Sequence, residues 1–254
     1  MELPQPIAEL VDQLAAMRGA VAVALGGSRG NGSADADSDW DLGLYYRGDI
    51  DLSALQARGE VHPPGSWGRI MNGGAWLQCG PHRVDVLLRD LDVVEHWHRR
   101  TEDGDFEVDA LLGYTAGVPT YLLVAELAEC RVLRGELPAA HFPQQLAAAG
   151  LARWRYCRAF SLAYARAHAR RGNLAGAAGQ VAKAFMEEAH ARMCERRTWQ
   201  CNEKRLIEAA GLGRAQTLFG RMPAEAAALT AWIDEAAAQL DLRPEDRPAW
   251  AAAR

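Results

Sequence analysis

Ala20-Val21-Ala22-Val23-Ala24-Leu25-Gly26-Gly27-Ser28-Arg29, followed ten residues later by Asp39-Trp40-Asp41-Leu42, is the stretch from which the fold is read. The first run is apolar, of strand length and closed by two glycines, so a strand delivers the chain into a tight turn. Ser28 then opens the next element. A Gly-Gly-Ser turn lets backbone amides approach an anion with no Cβ in the way, and a helix opening there adds the positive end of its dipole. A phosphate group suits such a turn.

Ser38-Asp39-Trp40-Asp41-Leu42-Gly43-Leu44-Tyr45-Tyr46 reads as a second strand, on which residues two apart share a face, so Asp39 and Asp41 point to one site. Two like charges held this close call for a neutralising cation, and hard oxygen ligands suit Mg²⁺ bridging to substrate phosphates. A third carboxylate is available. Arg83-Val84-Asp85-Val86-Leu87-Leu88 is an apolar strand interrupted by one acid, preceded by the turn Cys79-Gly80-Pro81-His82 and paired with Gly74-Ala75-Trp76-Leu77-Gln78. Acids are seldom set among valines without a partner.

This pattern resembles the DNA polymerase beta-type nucleotidyltransferase superfamily: a glycine-serine turn after a strand, a spacer, Asp-apolar-Asp, and a later apolar-Asp-apolar. Gly26, Gly27, Ser28, Asp39, Asp41 and Asp85 fill those positions in order, with Trp40 standing where a smaller aliphatic residue is usual. The resemblance implies that Asp39, Asp41 and Asp85 hold two Mg²⁺ ions while the turn, with Arg29 as a helper, grips a nucleoside triphosphate. It implies transfer of a nucleoside monophosphate to a hydroxyl with release of pyrophosphate. ATP is the donor expected from relatives, and Asp85 the first choice of general base, with Glu187 and Glu107 behind it. In size and layout the chain looks most like the aminoglycoside and lincosamide (antibiotic) nucleotidyltransferases.

The 254 residues suffice for two modest domains. The chain has no apolar run of about 18 residues and no basic start leading into an apolar segment, so neither a membrane span nor a signal peptide is expected and a cytoplasmic location is. Five cysteines, at 79, 130, 157, 194 and 201, form no Cys-x-x-Cys pair, which argues against a disulfide framework or a zinc site. His96 and His98, two apart on an expected helix, face different sides.

A composition shift near Gly135 divides an α+β arrangement: residues 1–136 as a catalytic domain with a mixed sheet and flanking helices, residues 137–254 as an all-α helical bundle. Helices are expected over 5–18, 51–58, 90–102 and 119–129, a closing strand at Cys130 to Leu133, then helices over 141–149, 151–171, 174–197, 203–211 and 223–240.

Net charge hides an asymmetry. Residues 1–136 carry 11 Arg against 22 acids, a balance of −11, while 137–254 carry a balance of +6. An acidic first half attracts Mg²⁺ and a cationic acceptor and repels a long nucleic acid. Against that, Arg153, Arg155, Arg158, Arg166, Arg170 and Arg171 run along one helical pattern, either a solvated face or a surface for tRNA. The segment Thr101 to Asp109, with five acids including Glu107, is either a soluble loop or an amine-recognising wall of the cleft. Lys183 and Lys204 are the only lysines. Lys183 and Glu187 are four apart on a helix, with His190 and Cys194 continuing a stripe that faces either solvent or the nucleotide, and Asn202-Glu203-Lys204 resembles a segment in the helical tails of small-molecule nucleotidyltransferases, so Lys183 and Lys204 are the candidate triphosphate contacts. Three functions compete: a small-molecule nucleotidyltransferase, a transferase acting on tRNA or protein in a toxin–antitoxin setting, and a non-catalytic nucleotide-binding regulator. Oligomeric state is open, including a homodimer in which a partner subunit completes the cleft.

Overall fold

A computed structural model describes residues 3–32, 38–242 and 246. In chain order the elements are α1 (Gln5–Ala15), β1 (Ala20–Leu25), the single helical turn α2 (Gly27–Gly30), β2 (Trp40–Tyr46), a 3-10 turn (Ser53–Arg58), β3 (Gly59–His62), α3 (Gly68–Met71), β4 (Gly73–Cys79), β5 (His82–Asp90) and α4 (Leu91–Glu102). There follow β6 (Val108–Asp109), β7 (Val118–Pro119), α5 (Leu122–Glu129) and β8 (Arg131–Gly135). The remaining helices are α6 (Gln144–Ala169), α7 (Leu174–Glu195), α8 (Leu206–Ala209), α9 (Arg214–Phe219) and α10 (Ala226–Gln239). The architecture is α+β: a mixed sheet with flanking helices, then a helical region.

The chain divides into two compact units. One holds residues up to 101, 106–111 and 118–141; the other holds 102–105, 112–117 and the chain from 142 onward. Of the two short segments, 112–117 is tied to the rest of the helical unit through Glu203, whose carboxylate accepts from the amides of Thr115 (2.6 Å) and Ala116 (2.9 Å).

In the first unit six strands lie in the order β3-β4-β5-β2-β1-β8. Only β2 and β5 are parallel; the other neighbours are antiparallel. Alternation sorts the side chains cleanly. Trp40, Leu42, Leu44, Val84, Val86, Leu88, Ala75 and Leu77 face one side, where Ile7, Leu10, Val11 and Leu14 of α1 complete a core. That leaves Asp41 and Asp85 on the opposite side. Part of this opposite side is closed by the buried Arg89, which makes a bidentate pair with Glu126 of α5 (2.5 and 2.7 Å) and donates to the carbonyls of Met71 and Leu88.

In the second unit α6 and α7 form a long hairpin whose core of Leu162, Ala165, Ala169, Ala177, Val181, Ala184 and Phe185 is extended by Leu218, Leu229, Trp232 and Ile233. Two helices expected over 141–149 and 151–171 are one continuous helix. Gly150, the residue left between those two expected helices, is a point of close packing inside α6: a Cβ there would fall 2.6 Å from Cys194 Sγ. Asn173, whose side chain accepts from the Gly176 amide at 2.9 Å, caps α7. No described helix is long and apolar enough to cross a membrane. None of the five cysteines is in a disulfide.

Candidate active site

β1 ends at Leu25, and the next two residues hold the turn against β2: the Gly26 amide donates to the Asp41 carbonyl at 2.8 Å. Gly27 has φ +56°, and a Cβ on it would lie 1.8 Å from Asp41 Oδ2. Both facts demand glycine here. The backbone conformation is one that L side chains seldom adopt, and the space a methyl group would need is taken by the Asp41 carboxylate. The turn and the acid are therefore packed against each other. α2 is a single turn, too short to sum a macrodipole, so an anion here would be held by the first-turn amides of Gly27 to Arg29, which have no intrahelical acceptor.

Asp41 and Asp85 are register partners on the two parallel strands. Both are half-buried, on the same face and one strand apart. Asp39 precedes β2 rather than lying within it, and its Oδ1 sits 2.9 Å from Arg83 Nε. Arg83 escaped the sequence reading: an exposed arginine at the start of a strand gives no signal until the register brings it opposite Asp39. Arg29 is turned to the same segment. Its Nε and Nη2 donate to the Ser38 carbonyl (3.0 and 2.6 Å), its Nε also reaches the Asp39 carbonyl (3.2 Å), and its guanidinium lies over the Trp40 ring at 4.5 Å. Trp40 itself is buried on the core side, which is why an aromatic residue is tolerated between the two acids.

Gly26, Gly27, Ser28, Asp39, Asp41 and Asp85 thus gather at one end of the β1-β2-β5 strands, with Arg29 bracing the segment that carries Asp39. Among the described residues no three His, Cys, Asp or Glu side chains converge as a metal-binding group. Asp41 and Asp85 nevertheless suit Mg²⁺, which characteristically takes one or two carboxylates and completes its shell with water and substrate phosphates. Asp39 joins such a set only by leaving Arg83.

The other expected residues lie elsewhere. Glu107 and Asp109 both pair with Arg69 at 2.5 Å, so these acids of the 101–109 segment are engaged with a cation of the chain itself. Lys183, Glu187 and Lys204 belong to the helical unit. The Glu187 carboxylate is buried, accepts from the Ser161 hydroxyl at 2.7 Å and lies 3.9 Å from Lys183 Nζ. Burial raises its pKa to about 7, against the lowering effects of Ser161 and Lys183. Lys204 is exposed in a turn fixed by its own amide donating to Asn202 Oδ1 at 3.0 Å; the helix expected from 203 starts only at Leu206. His190, expected on the stripe of Lys183 and Glu187, is buried, stacked on Trp154 at 4.5 Å and held neutral by burial with a pKa of about 3; Ser161 was not singled out from sequence, since it looks like an ordinary helix position.

No protein-family model matches the chain. No curated protein matches it either. Among solved structures, a nucleotidyltransferase-like protein from Exiguobacterium sibiricum aligns with 93% of this chain and 72% of its own, at 14% identity and a TM-score of 0.44.

Proposed function

We propose that the chain is a metal-dependent nucleotidyltransferase that moves a nucleoside monophosphate from an NTP, with ATP the expected donor, to a hydroxyl of a small cationic acceptor of the aminoglycoside kind. The observation that carries this reading is the packing of the Gly27 backbone against the carboxylate of Asp41, with Asp85 beside it in register. It couples an anion-accepting turn to a pair of hard ligands.

In this reading Asp41 and Asp85, with Asp39 once released from Arg83, hold Mg²⁺, which when bound neutralises phosphate charge and stabilises entering and leaving oxygens. The amides of Gly27 and Ser28 and the Ser28 hydroxyl orient the β- and γ-phosphates. Asp85 accepts the proton of the acceptor hydroxyl as its oxygen bonds to the α-phosphorus and the bond to pyrophosphate breaks. Arg29 acts by fixing the Ser38-Asp39 backbone rather than by touching nucleotide. Lys183 and Lys204 remain our candidates for further triphosphate contacts. Glu187, titrating near neutrality beside Lys183, is a second candidate base; Glu107, committed to Arg69, is less suited to that role.

A tRNA acceptor gains little support from the arginine-rich helix. Arg158 is buried against Glu188, Arg155 lies 3.5 Å from Glu195, and Arg166 pairs with Asp234, so three of the six are spent within the unit. Pyrophosphate release with Mg²⁺, each of the four NTPs and a panel of aminoglycosides, lincosamides and bulk tRNA tests the reading. Acceptor-dependent release that disappears in Asp41→Asn is the expected result. Release unchanged in that variant would exclude this site.

A further inference from the structure

The sheet face that carries Asp41 and Asp85 continues past them into an aromatic cluster to which the proposed chemistry gives no part. Trp76 on β4 is the register partner of Asp85. Its neighbours Ala75 and Leu77 are buried in the core on the other side, so Trp76 projects from the face that holds the two acids. It is 50% exposed. Its indole is nevertheless fixed in place. It stacks on Trp67, with ring centroids 5.6 Å apart and planes 28° apart, and makes a T-shaped contact with His62 at a centroid separation of 4.6 Å. Trp67 in turn rests on β4 itself: a Cβ on Gly74 would fall 2.6 Å from Trp67 Cζ3, so the bare backbone at 74 is what lets the second indole lie on the strand. Glu60, the partner of Trp76 on β3, adds a carboxylate at the rim, 3.3 Å from His62 Nε2.

The order of strands gives this cluster its meaning. Reading β1, β2, β5, β4, β3 across the sheet, the Gly27-Ser28 turn, Asp41, Asp85, Trp76 and Glu60 follow one another on one face, at about 4.8 Å per strand. The turn and the aromatic surface therefore flank the acids from opposite sides. In-line displacement places entering and leaving oxygens on opposite sides of the phosphorus. With the departing phosphates at the turn, the attacking hydroxyl arrives from the side of Trp76.

We propose that Trp76, held by Trp67 and His62, is the platform on which the acceptor lies, and that the acceptor is a saturated, hydroxyl-bearing ring with an ammonium group. The ring lies on the indole with its ammonium over the indole face and turned to Glu60. This rests on the transferase reading for the position of the phosphates. The choice of a ring amine follows from the surroundings: a cation gains from the face of an indole and from the adjacent carboxylate, within a first half whose charge balance is −11. A nucleobase would also stack on an indole, and the experiment is arranged to tell the two apart.

The test uses the full chain, with 2-deoxystreptamine as the ring-amine probe followed by saturation-transfer NMR, and ATP with Mg²⁺ followed by calorimetry. Wild type and Trp76→Phe should both bind the ring amine. Trp76→Ala should bind it about tenfold more weakly, the scale of a cation over an indole face, while its ATP affinity stays that of wild type. No ring-amine binding by wild type, or equal binding by Trp76→Ala, overturns the platform. A parallel loss of ATP affinity in Trp76→Ala overturns it as well, in favour of a nucleobase. If ATP binds none of the three proteins while the ring amine still depends on Trp76, the transferase reading falls and the platform stands.

Discussion

At Gly27 a hydrogen in place of a methyl group decides where Asp41 can stand. Gly27→Ala meets two penalties, a positive φ worth about 1–2 kcal/mol for an L residue and a Cβ placed 1.8 Å from Asp41 Oδ2. The second penalty is relieved only by moving the carboxylate. We therefore expect Gly27→Ala to lower stability by about 1–2 kcal/mol in urea unfolding and to lower pyrophosphate release by about a hundredfold or more, since displacement of a positioned group by about 1 Å has effects of that size. A variant that loses stability but keeps full turnover would show that Asp41 does not need this packing. Arg83 gives the complementary case. It neutralises Asp39 at 2.9 Å in an exposed pair, where such pairs are weak, so its influence should be felt in competition with metal rather than in folding. Arg83→Gln should shift the Mg²⁺ dependence of NTP binding to lower concentration, about threefold by the Coulombic scale of one exposed contact, with no measurable change in unfolding midpoint. A shift to higher concentration would instead make Arg83 a nucleotide ligand.

Along α6 the local rule and the tertiary fact part company at Gly150. A glycine inside a helix ordinarily forfeits about 1 kcal/mol relative to Ala, which is why the pattern reads as two helices. The chain keeps it because α7 approaches so closely that Cys194 Sγ occupies the space of a Cβ. Gly150→Ala should therefore be destabilising in spite of its better propensity, by about 1–3 kcal/mol of overpacking. Cys194→Ala added to it should recover most of that loss, a coupling a double-mutant cycle reads directly; purely additive losses would mean the strain lies in the backbone. The same contrast explains what was legible elsewhere. β1 was readable as a continuous apolar run, buried at successive positions from Ala22 to Leu25, and β2, β4 and β5 because one face of each meets a core and alternation records it. β3 was not, since Gly59-Glu60-Val61-His62 lies between a 3-10 turn and two prolines with little apolar signal. The helix expected over 203–211 shrank to Leu206–Ala209 because Asn202 and Glu203 spend their side chains on backbone amides, which holds the start in a turn. At the site the acids and glycines were legible from spacing. Trp76 was hidden because an exposed residue in an alternating strand reads as solvent-facing, and only the strand order places it beside Asp85.

For the molecule as a whole, formal charge misleads where burial does not. The +6 balance of residues 137–254 suggests a basic surface, yet Arg158 is wholly internal, bonded to Glu188 at 2.6 Å and to the Leu240 carbonyl at 2.8 Å. Removing one partner of such a pair strands the other, so Arg158→Ala should lower stability by about 3–5 kcal/mol. Two other buried groups contribute to the pH dependence of stability with opposite signs. Glu187 has its pKa raised from 4.5 to about 7 by desolvation, so below pH 4.5 both folded and unfolded chains hold its proton; as pH rises toward 7 only the folded chain does, and stability falls. His190 has its pKa lowered from 6.5 to about 3 by desolvation, so its contribution is complete above pH 6.5 and is lost as pH falls toward 3. Between about pH 4.5 and 6.5 the two groups offset each other, since each chain then holds one proton across the pair. Cys130, Cys157 and Tyr46 are all pushed above their ordinary values and titrate outside this range. Stability should therefore be flat near pH 5.5 and lower at pH 8 by only about 0.7 kcal/mol, because the fall of about 2 kcal/mol from Glu187 between these pH values is offset by a gain of about 1.4 kcal/mol from His190. Glu187→Gln, which keeps an acceptor for the Ser161 hydroxyl and carries no charge, should abolish the alkaline part of the decline and leave the acid limb of His190 in place. Urea midpoints at pH 4, 5.5 and 8 for the two proteins measure this. An alkaline decline that persists unchanged in Glu187→Gln would mean that the carboxylate is already ionised inside the folded helical unit, with Lys183 rather than a proton balancing its charge.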